Sequence, residues 1–341
     1  MKYLLNHLSI ITFYGIILVF ISSSIASGDL EEIKLGYHSQ AGGTSLIAAI
    51  NQGYFAEEGL KVIPIQYDLV TLNQSLQNGD ILGAELDYHL FQFIANGAPI
   101  VLTAGLSSGF LEILGKTEPT FTLAVEALGS GPSVSAANYF RTKGLAPEKA
   151  ISFLETPDPL KSVDSGQAQA LARFAEANQL PPNTLEHSAK GTHTHHHPKP
   201  SSQKLPVLYS ARASLPTHTD SKNPHAHHTA ANHFFNSFVV LRTNLTQNPN
   251  TAASITRAWI RGAKWTGENL EEAANLAVQA GIPPTNILPE LQRYMWMPGV
   301  KDAKIHALIY IHEGVSQGVL KVQDETTFFN QVFFPALPDI N

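Results

Sequence analysis

Cysteine is absent from all 341 residues of the sequence. Disulfide bonds therefore cannot stabilise the fold, and metal sites built from thiolates are excluded. The thiol through which an exported lipoprotein is attached to lipid is missing as well. Stability has to come from apolar cores, and a chain of this length can bury one or two of them.

Positive charge is scarce. The sequence has 22 Lys and Arg residues against 28 Asp and Glu residues, and its formal net charge is −6. No basic stripe runs along the chain, so nucleic acid is not an expected partner.

Long apolar runs are also lacking, except near the N-terminus. There, Lys2 precedes an apolar run over residues 10–21, and the small residues Ser24 and Ala26 follow it, which is the pattern of a secretory signal. An uncleaved anchor is the alternative, although about twelve apolar residues are too few to cross a hydrocarbon core of roughly 30 Å. We expect residues 1–26 to be a signal peptide and the mature chain to be released into the periplasm without lipid.

The segment after Glu32 alternates between strand-like and helix-like patterns. "IKLGY" is a short β-prone run, "SQAGG" is a turn, and "TSLIAAINQGYF" has apolar residues at helical spacing before "EEGLKVIPIQYD" returns to a strand. The same order recurs in "SLQNGDILGAELD", "PIVLTAGLSSG" and "FTLAVEALGSGPSVSAANYFRTKGLAPEKAISFLE". This alternation predicts an α/β fold with mostly parallel sheets.

The composition changes after Asn178 to Pro, Ser, Thr, His and Lys, interrupted by the strand-like run "LPVLYS". Such segments cannot bury enough apolar surface to order themselves, so we expect His-rich mobile loops at residues 187–204 and 216–233. A strand, "FFNSFVVLR", follows. Helices are then expected over residues 249–266, 269–280, 285–295, 301–316 and 325–333.

Four segments match a known family in order and spacing: "IKLGYHSQAGGTSLIAAINQGYFAEEGLKVIPIQYD", "LQNGDILGA", "NGAPIVLTAGLSSG" and "LGSGPSVSAANYFRTKGLAPEKA". They resemble the periplasmic substrate-binding proteins of nitrate, sulfonate and taurine ABC importers, including their thiamine-precursor relatives. The most specific piece is "NQGYFAEEGLKV", and the resemblance covers residues 32–175 and 234–330.

The resemblance implies a two-lobed periplasmic binding protein of type II, whose lobes are joined by crossover strands and close on a ligand. Lobe 1 would comprise residues 27–118 and 240–341, and lobe 2 residues 119–239 with both His-rich loops. The resemblance also implies a permease and an ATPase as partners. A monomer is expected.

Ligands of open parallel sheets bind beyond the carboxyl ends of the strands. The pocket is therefore expected around residues 37–44, 85–89, 106–109 and 129–133. In anion-binding members of the family, such loops present hydroxyls and helix N-terminal amides to an oxyanion. The candidate ligand-binding residues are Tyr37, Ser107, Ser108, Ser130 and Ser133.

Two of these strand ends depart from the family pattern. His38 follows the first strand, and Glu85-Leu-Asp-Tyr-His89 stands where small residues are usual. Imidazole and carboxylate ligands without thiolate favour borderline divalent ions, and three or four of them make a typical zinc site. The candidate metal ligands are His38, Glu85, Asp87, His89 and His233, of which Glu85, Asp87 and His89 would share one side of an extended segment. Alternatively, His38 is an ordinary polar pocket residue, and Glu85 and Asp87 accept hydrogen bonds.

Most of the 15 histidines fall in the two expected loops. In composition these loops resemble the His-rich loops of zinc-specific periplasmic binding proteins. We expect transient metal capture by His193, His195, His196, His197, His225, His227 and His228. A purification tag is one alternative, although tags are usually terminal and unbroken. A solvated insertion without function is another.

Three functions remain open. The first is a receptor for a divalent transition metal (zinc, nickel or cobalt) or a metal complex, carried as cargo and not as a cofactor, for an ABC importer. The second is a receptor for a small anion such as a sulfonate or nitrate, or for a thiamine-precursor pyrimidine. The third is an enzyme, because some fungal relatives in this fold make the thiamine pyrimidine. Those relatives carry a cysteine-rich motif and work in the cytosol, so we expect a binding protein and not an enzyme.

Overall fold

The computed structural model describes residues 30–175, 205–210, 232–296 and 298–333. The expected signal peptide and nearly all of the His-rich loops lie outside these ranges. The strands are β1 (Glu31–Tyr37), β2 (Leu60–Gln66), β3 (Gly83–Leu86), β4 (Ile100–Gly115), β5 (Phe121–Val125), β6 (Ile151–Glu155), β7 (Ala170–Phe174), β8 (Val207–Ser210), β9 (Asn232–Leu241) and β10 (Tyr294–Met295). The helices are α1 (Gln40–Asn51), α2 (Tyr54–Glu57), α3 (Leu69–Asn78), α4 (His89–Ala95), α5 (Gly131–Thr142), α6 (Pro147–Ala150), α7 (Pro159–Asp164), α8 (Arg242–Gln247), α9 (Pro249–Glu268), α10 (Leu270–Gln279), α11 (Ile287–Gln292), α12 (Val300–Ser316) and α13 (Glu325–Val332).

The described strands form one sheet in the order β2-β1-β3-β9-β4-β7-β5-β6, with β8 and β10 also paired to β4. At one end β1 is parallel to β2 and β3, and at the other end β5 is parallel to β6 and β7. Every antiparallel pair among the described strands involves β4 or β9. The predicted α/β fold, with parallel lobes joined by crossover strands, is confirmed. Below, lobe 1 is the part built on β1, β2 and β3, and lobe 2 is the part built on β5, β6 and β7.

Strand β4 connects the two lobes. It has 16 residues, all buried, and at about 3.3 Å per residue it extends for about 50 Å. It pairs with β9 from Ile100 to Phe110 and with β7 from Leu111 to Gly115. The predicted strand end at residues 106–109 is therefore wrong, because the apolar stretch "FLEILG" continues the strand into lobe 2.

Each face of the lobe 1 sheet is covered by helices. On one face, α1, α9 and α10 bury residues such as Leu46 and Trp259. On the other face, α3, α4, α12 and α13 bury residues such as Leu72, Phe91 and Ile311. Lobe 2 has smaller cores of its own. Coverage on both faces explains why a strand such as β4 is buried along its whole length and does not alternate between buried and exposed residues.

The expected C-terminal helices are present, with one exception. The helix predicted over residues 285–295 is α11, which ends at Gln292, and Tyr294 and Met295 instead form β10. This short strand pairs with Ser108 and Gly109 of β4, so a tertiary contact overrides the local helical pattern. Among the described helices, none combines the length and the apolar character needed to cross a membrane.

Candidate functional site

A cavity of about 540 Å³ lies between the two lobes, beyond the carboxyl ends of β3, β5 and β6. This volume is typical of pockets that bind small molecules. Lobe 1 lines it with Asp87 and Tyr88, which follow β3, and with residues at the end of α11 and the start of β10: Glu290, Arg293 and Tyr294. Lobe 2 lines it with Glu126, Ala127, Ser130, Pro132, Pro157, Asp158, Pro159, Leu160, Leu171, Ala172, Arg173 and Phe174. We call this cavity the cleft.

Carboxylates outnumber arginines in the cleft. The acidic residues are Asp87, Glu126, Asp158 and Glu290. The basic residues are Arg173 and Arg293. The lining as a whole is therefore acidic.

Both arginines also lie close to carboxylates. The Nη1 atom of Arg293 is 3.2 Å from Glu290 Oε2. The Nε atom of Arg173 is 3.4 Å from Oε2 of Glu112, which faces it across the β4–β7 pair. Because these pairs offset much of the positive charge, the remaining carboxylates give the cleft a negative potential.

The Tyr88 hydroxyl reports this negative environment. Burial raises the pKa of Tyr88 to about 12, and the negative charges of Asp87, Glu126 and Glu155 act in the same direction. Its ring stacks on the imidazole of His89, with 4.2 Å between the ring centres. Carboxylates from both lobes thus act on one hydroxyl in the wall of the cleft.

Asp87 and His89 interact with each other at the N-terminus of helix α4. Oδ1 of Asp87 accepts a hydrogen bond from the backbone N–H of His89 (3.0 Å) and lies 2.6 Å from Nδ1 of its ring. Strand β3 ends at Leu86, so Glu85, Asp87 and His89 are not extended on one side. The expectation that these three side chains lie on one side of an extended segment and share a metal ion is therefore wrong.

The other predicted metal ligands do not assemble into a metal site either. His38 Nδ1 lies 3.4 Å from the carbonyl oxygen of Tyr67, and Glu85 is fully buried and does not line the cleft. His233 belongs to β9 and its backbone pairs with Gly109, but its side chain is not among those that the structure describes. Within the part of the chain that the structure describes, no three His, Cys, Asp or Glu side chains are grouped so that they could hold a metal ion.

Glu85 is bound to the start of helix α1. Its Oε2 accepts hydrogen bonds from the backbone N–H groups of His38 (2.8 Å) and Ser39 (3.0 Å), and its Oε1 accepts one from the Ser39 hydroxyl (2.8 Å). Burial raises the pKa of the Glu85 carboxyl, although these donors act in the opposite direction. Its role in the structure is that of a hydrogen-bond acceptor, one of the two alternatives left open by the sequence.

The serines predicted to bind an anion are largely engaged in other contacts. The Ser130 side chain caps α5 by accepting from the Ser133 N–H. The Ser133 hydroxyl in turn donates to Oε1 of Gln317 (3.1 Å). Ser107 accepts a hydrogen bond from Nδ2 of Asn236 (3.2 Å), and Ser108 is buried inside β4. Of these four serines, Ser130 alone lines the cleft.

Tyr37, the remaining predicted ligand, packs against helix α1. Its ring occupies the space where a β-carbon on Gly43 would lie, and burial raises the pKa of its hydroxyl. Tyr37 is not among the residues that line the cleft.

Sequence reasoning missed most of the cleft residues. Glu126 and Asp158 follow the strands β5 and β6, so the rule that placed Asp87 could also have placed them. Arg173 lies in a strand that was not recognised, and Arg293 lies at the end of a short helix. No local pattern in the sequence marks either arginine as a binding residue.

The solved structures that are similar in fold include three with named ligands. The periplasmic aliphatic sulphonate-binding protein SsuA from Escherichia coli is 13% identical, with a TM-score of 0.55 over 89% of this chain and 92% of that one. The periplasmic nitrate-binding protein NrtA from Synechocystis PCC 6803 is 15% identical, with a TM-score of 0.55 over 91% and 87%. The ligand-binding component of an ABC-type import system from Staphylococcus aureus, with zinc bound, is 10% identical, with a TM-score of 0.55 over 90% and 97%.

No protein-family model matches the sequence, and no curated protein matches it. At these low identities the structural likeness establishes the fold alone. The chain has the fold of periplasmic binding proteins.

Proposed function

We propose that this chain is the periplasmic solute-binding component of an ABC importer, and that its cargo is a positively charged complex of a divalent transition metal such as zinc, nickel or cobalt. The observation that carries this proposal is the acidic cleft between the lobes. Carboxylates attract and retain a cation, and the two arginines already lie beside carboxylates of the protein. The solved relatives of this fold are binding proteins, which favours capture over catalysis.

The size of the cleft favours a complex over a bare ion. Zinc alone takes three or four protein ligands at about 2.0–2.2 Å. The described residues offer no such group, whereas a cavity of about 540 Å³ has room for an organic chelator. The rings of Tyr88, Phe174 and Tyr294 would contact the chelator, and the carboxylates would face the residual positive charge of the complex.

An anion as cargo has less support. The carboxylates of Asp87, Glu126 and Asp158 would repel it. The Ser107 and Ser133 hydroxyls, which could have bound an oxyanion, are hydrogen-bonded to Asn236 and Gln317.

The lobes are proposed to close on the cargo about the connecting strands. The proposed boundaries assign residues 27–118 and 240–341 to lobe 1 and residues 119–239 to lobe 2. The first boundary lies between β4 and β5, and the second lies inside β9, which pairs with β3 of lobe 1 and with β4. The second boundary therefore lies within a connecting strand, where a hinge is expected, whereas the first follows the end of β4, whose residues Leu111 to Gly115 already pair with β7 of lobe 2.

Delivery would involve partners outside this chain. We propose a permease and an ATPase as the partners of a monomeric, exported and unlipidated protein. The His-rich segments, which lie outside the described residues, would capture metal ions transiently.

Isothermal titration of the mature protein tests the proposal. The probes are Zn²⁺, Ni²⁺ and Co²⁺, each alone and with diethylenetriamine, a neutral chelator that leaves the complex doubly charged. Methanesulfonate and nitrate are the anionic probes. We expect one tight site for a chelated metal and no heat from either anion. Tight binding of methanesulfonate or nitrate, with no tight site for any metal probe, would overturn the proposal.

Two cleft variants locate the site. Glu126→Gln and Asp158→Asn each remove one negative charge from lobe 2. Each should weaken cation binding about tenfold, which corresponds to roughly 1.4 kcal/mol. Glu118→Gln makes the same chemical change at an exposed position outside the cleft and should leave binding unchanged. Equal affinity in all three variants would place the cargo elsewhere.

A further inference from the structure

One aromatic ring of the cleft, that of Phe174, lies between two glycines. Phe174 is the last residue of β7, and its partly exposed side chain lines the cleft. A β-carbon on Gly109 of β4 would overlap this ring, and a β-carbon on Gly131, the first residue of α5, would lie 2.6 Å from its Cζ atom. The ring therefore occupies the space that side chains at both positions would need.

The backbone gives no other reason for glycine at these two positions. Neither Gly109 nor Gly131 has a positive φ, the conformation for which glycine is usually required. Glycine inside a strand is unfavourable, and it often marks a place where another group approaches closely. Gly109 lies inside a strand of 16 buried residues. The two glycines are thus explained by the ring that they accommodate.

The backbone that carries the ring is held in place. Phe174 pairs with Leu111 of β4, and the N–H of the next residue, Ala175, donates to the carbonyl oxygen of Phe110 (2.7 Å). With its backbone bonded and its ring packed against two glycines, Phe174 has little freedom to move aside. A rigid ring offers a ligand a large apolar contact area, and little side-chain entropy is lost when the ligand binds.

The cleft combines aromatic rings from both lobes with negative charge. Lobe 1 contributes Tyr88, whose ring stacks on His89. Glu126 and Asp158 belong to the same lining as Phe174. A cation attracted by these carboxylates would come close to aromatic rings, whose faces attract positive charge. An aromatic chelator around the cation could also stack on the rings, whereas a saturated amine could not.

We propose that Phe174 is a specificity-determining residue, whose fixed ring makes the cleft prefer a divalent metal held by a flat, aromatic nitrogen chelator over one held by an aliphatic amine. The carboxylates would attract either complex, because both carry the same charge. The ring distinguishes them, since stacking adds to the affinity of the flat chelator alone. This inference rests on the proposed function, because it names the class of chelator in the same cargo.

Two matched probes test this preference by isothermal titration. Terpyridine and diethylenetriamine are both neutral chelators with three nitrogen donors, and terpyridine alone is flat and aromatic. Cu²⁺ serves as the metal, since it binds nitrogen ligands most tightly among the divalent first-row ions and stays chelated. The natural protein should bind the terpyridine complex roughly tenfold more tightly than the diethylenetriamine complex. Phe174→Leu removes the ring but keeps an apolar side chain, so it should abolish this preference and leave the affinity for the diethylenetriamine complex nearly unchanged.

The glycines provide a second way to displace the ring. Gly131→Ala should reduce the preference for terpyridine, and it should have no further effect on that preference in a Phe174→Leu background. Gly43→Ala is the matched control, because its β-carbon would overlap the ring of Tyr37, which does not line the cleft. Phe329→Leu, at a partly exposed position outside the cleft, controls for the loss of a ring. Neither control should alter the preference.

The possible outcomes separate this inference from the proposed function. Equal affinity of the natural protein for the two complexes, or a preference that persists in Phe174→Leu, overturns the role of Phe174 and leaves the proposed function standing. If the natural protein binds neither complex, the proposed function fails and this inference fails with it. A variant that folds poorly binds both complexes less well in the same proportion, so the ratio of the two affinities measures the effect of the ring and not of folding.

Discussion

The side chain of Glu85 fills the space that a β-carbon on Gly42 would occupy. Gly42→Ala should therefore lower the free energy of unfolding by about 2 kcal/mol, because the carboxyl group must move away from its three donors. In a Glu85→Ala background the same change should cost nothing, or even stabilise by up to about 1 kcal/mol, since alanine favours the helix. Urea denaturation of the four proteins of this cycle measures the coupling.

The neighbouring glycine supplies the control for this cycle. A β-carbon on Gly43 would overlap the ring of Tyr37 and not Glu85. Gly43→Ala should therefore destabilise the protein equally with and without Glu85→Ala. If the Gly42 and Gly43 substitutions respond alike, Glu85 is not the group that requires glycine at position 42.

The pH dependence of stability should show the cost of burying Glu85. Burial raises the pKa of this carboxyl above its value in the unfolded chain, which is about 4.3. Between the unfolded and the folded pKa, the folded state binds more protons, so the contribution of Glu85 to stability falls as pH rises. Glu85→Gln lacks this dependence.

Unfolding free energies at a series of pH values from 4 upward measure this difference between the natural protein and Glu85→Gln. The difference should shift in favour of the variant as pH rises above the unfolded pKa. The exposed Glu118→Gln should show no such trend. If the difference in unfolding free energy between the natural protein and Glu85→Gln does not change with pH, the hydrogen bonds from His38 and Ser39 offset the effect of burial on the pKa of Glu85 completely.

A buried ion pair joins the lobes beside Gln317. Arg141 of α5 donates from Nε and Nη2 to the two carboxylate oxygens of Glu313 in α12, at 2.7 and 3.1 Å. Glu313 is only 1% exposed, so Glu313→Gln should lower the free energy of unfolding by about 2 kcal/mol, somewhat less than for a fully buried pair. Glu148→Gln removes the second, exposed partner of Arg141 and should lower the free energy of unfolding less than Glu313→Gln does. Equal effects of the two substitutions in thermal denaturation would contradict this assignment.

The His-rich segments and the cleft should contribute separately to metal binding. Seven substitutions by Ser, at His193, His195, His196, His197, His225, His227 and His228, should remove weak sites and leave one tight site. A cargo bound by the folded state alone raises the free energy of unfolding by roughly 2.7 kcal/mol at a hundredfold excess over Kd. These seven histidines should add less, because they can bind metal in the unfolded chain too.

Thermal shifts with saturating Zn²⁺ or Ni²⁺ compare this variant with one carrying Glu126→Gln and Asp158→Asn, two residues that line the cleft. If the seven-fold variant loses the whole shift while the second variant keeps it, the metal binds the segments and not the cleft. Weak metal binding by the His-rich segments should also fall between about pH 7 and 5, where protons compete for imidazoles with an ordinary pKa near 6.5.

Local sequence patterns predict the repeating strand and helix units of this fold well. The spacing of apolar residues is sufficient for α9, α10 and α12, which lie close to their expected positions. Helix α1 begins at Gln40, inside the segment "SQAGG" that was expected to be a turn, because the Ser39 side chain caps the helix there. The length of β4 was not predicted, because its continuation past Gly109 depends on pairing with β7, a strand far along the chain. β10 was missed for the same reason.

The candidate site was harder to predict than the fold. Strand-end position identified Asp87 as a pocket residue, yet it also suggested Glu85, whose neighbours in space turn it towards α1. Which side chain faces a cleft depends on packing between elements distant in sequence. Arg293 lines the cleft because helix α11 packs beside it. The spacing of residues in the sequence does not predict where that helix packs.

Strand β4 also determines how the protein unfolds. The first half of β4 is hydrogen-bonded to β9, which also pairs with β3 of lobe 1, and the second half is hydrogen-bonded to β7 of lobe 2. If the hydrogen bonds of either half are lost, backbone groups become exposed in a strand that both lobes share. Melting of one lobe therefore destabilises the other, and the described parts of the chain behave as one cooperative unit. Heat should unfold the protein in a single calorimetric transition, and a substitution in either lobe should move that whole transition.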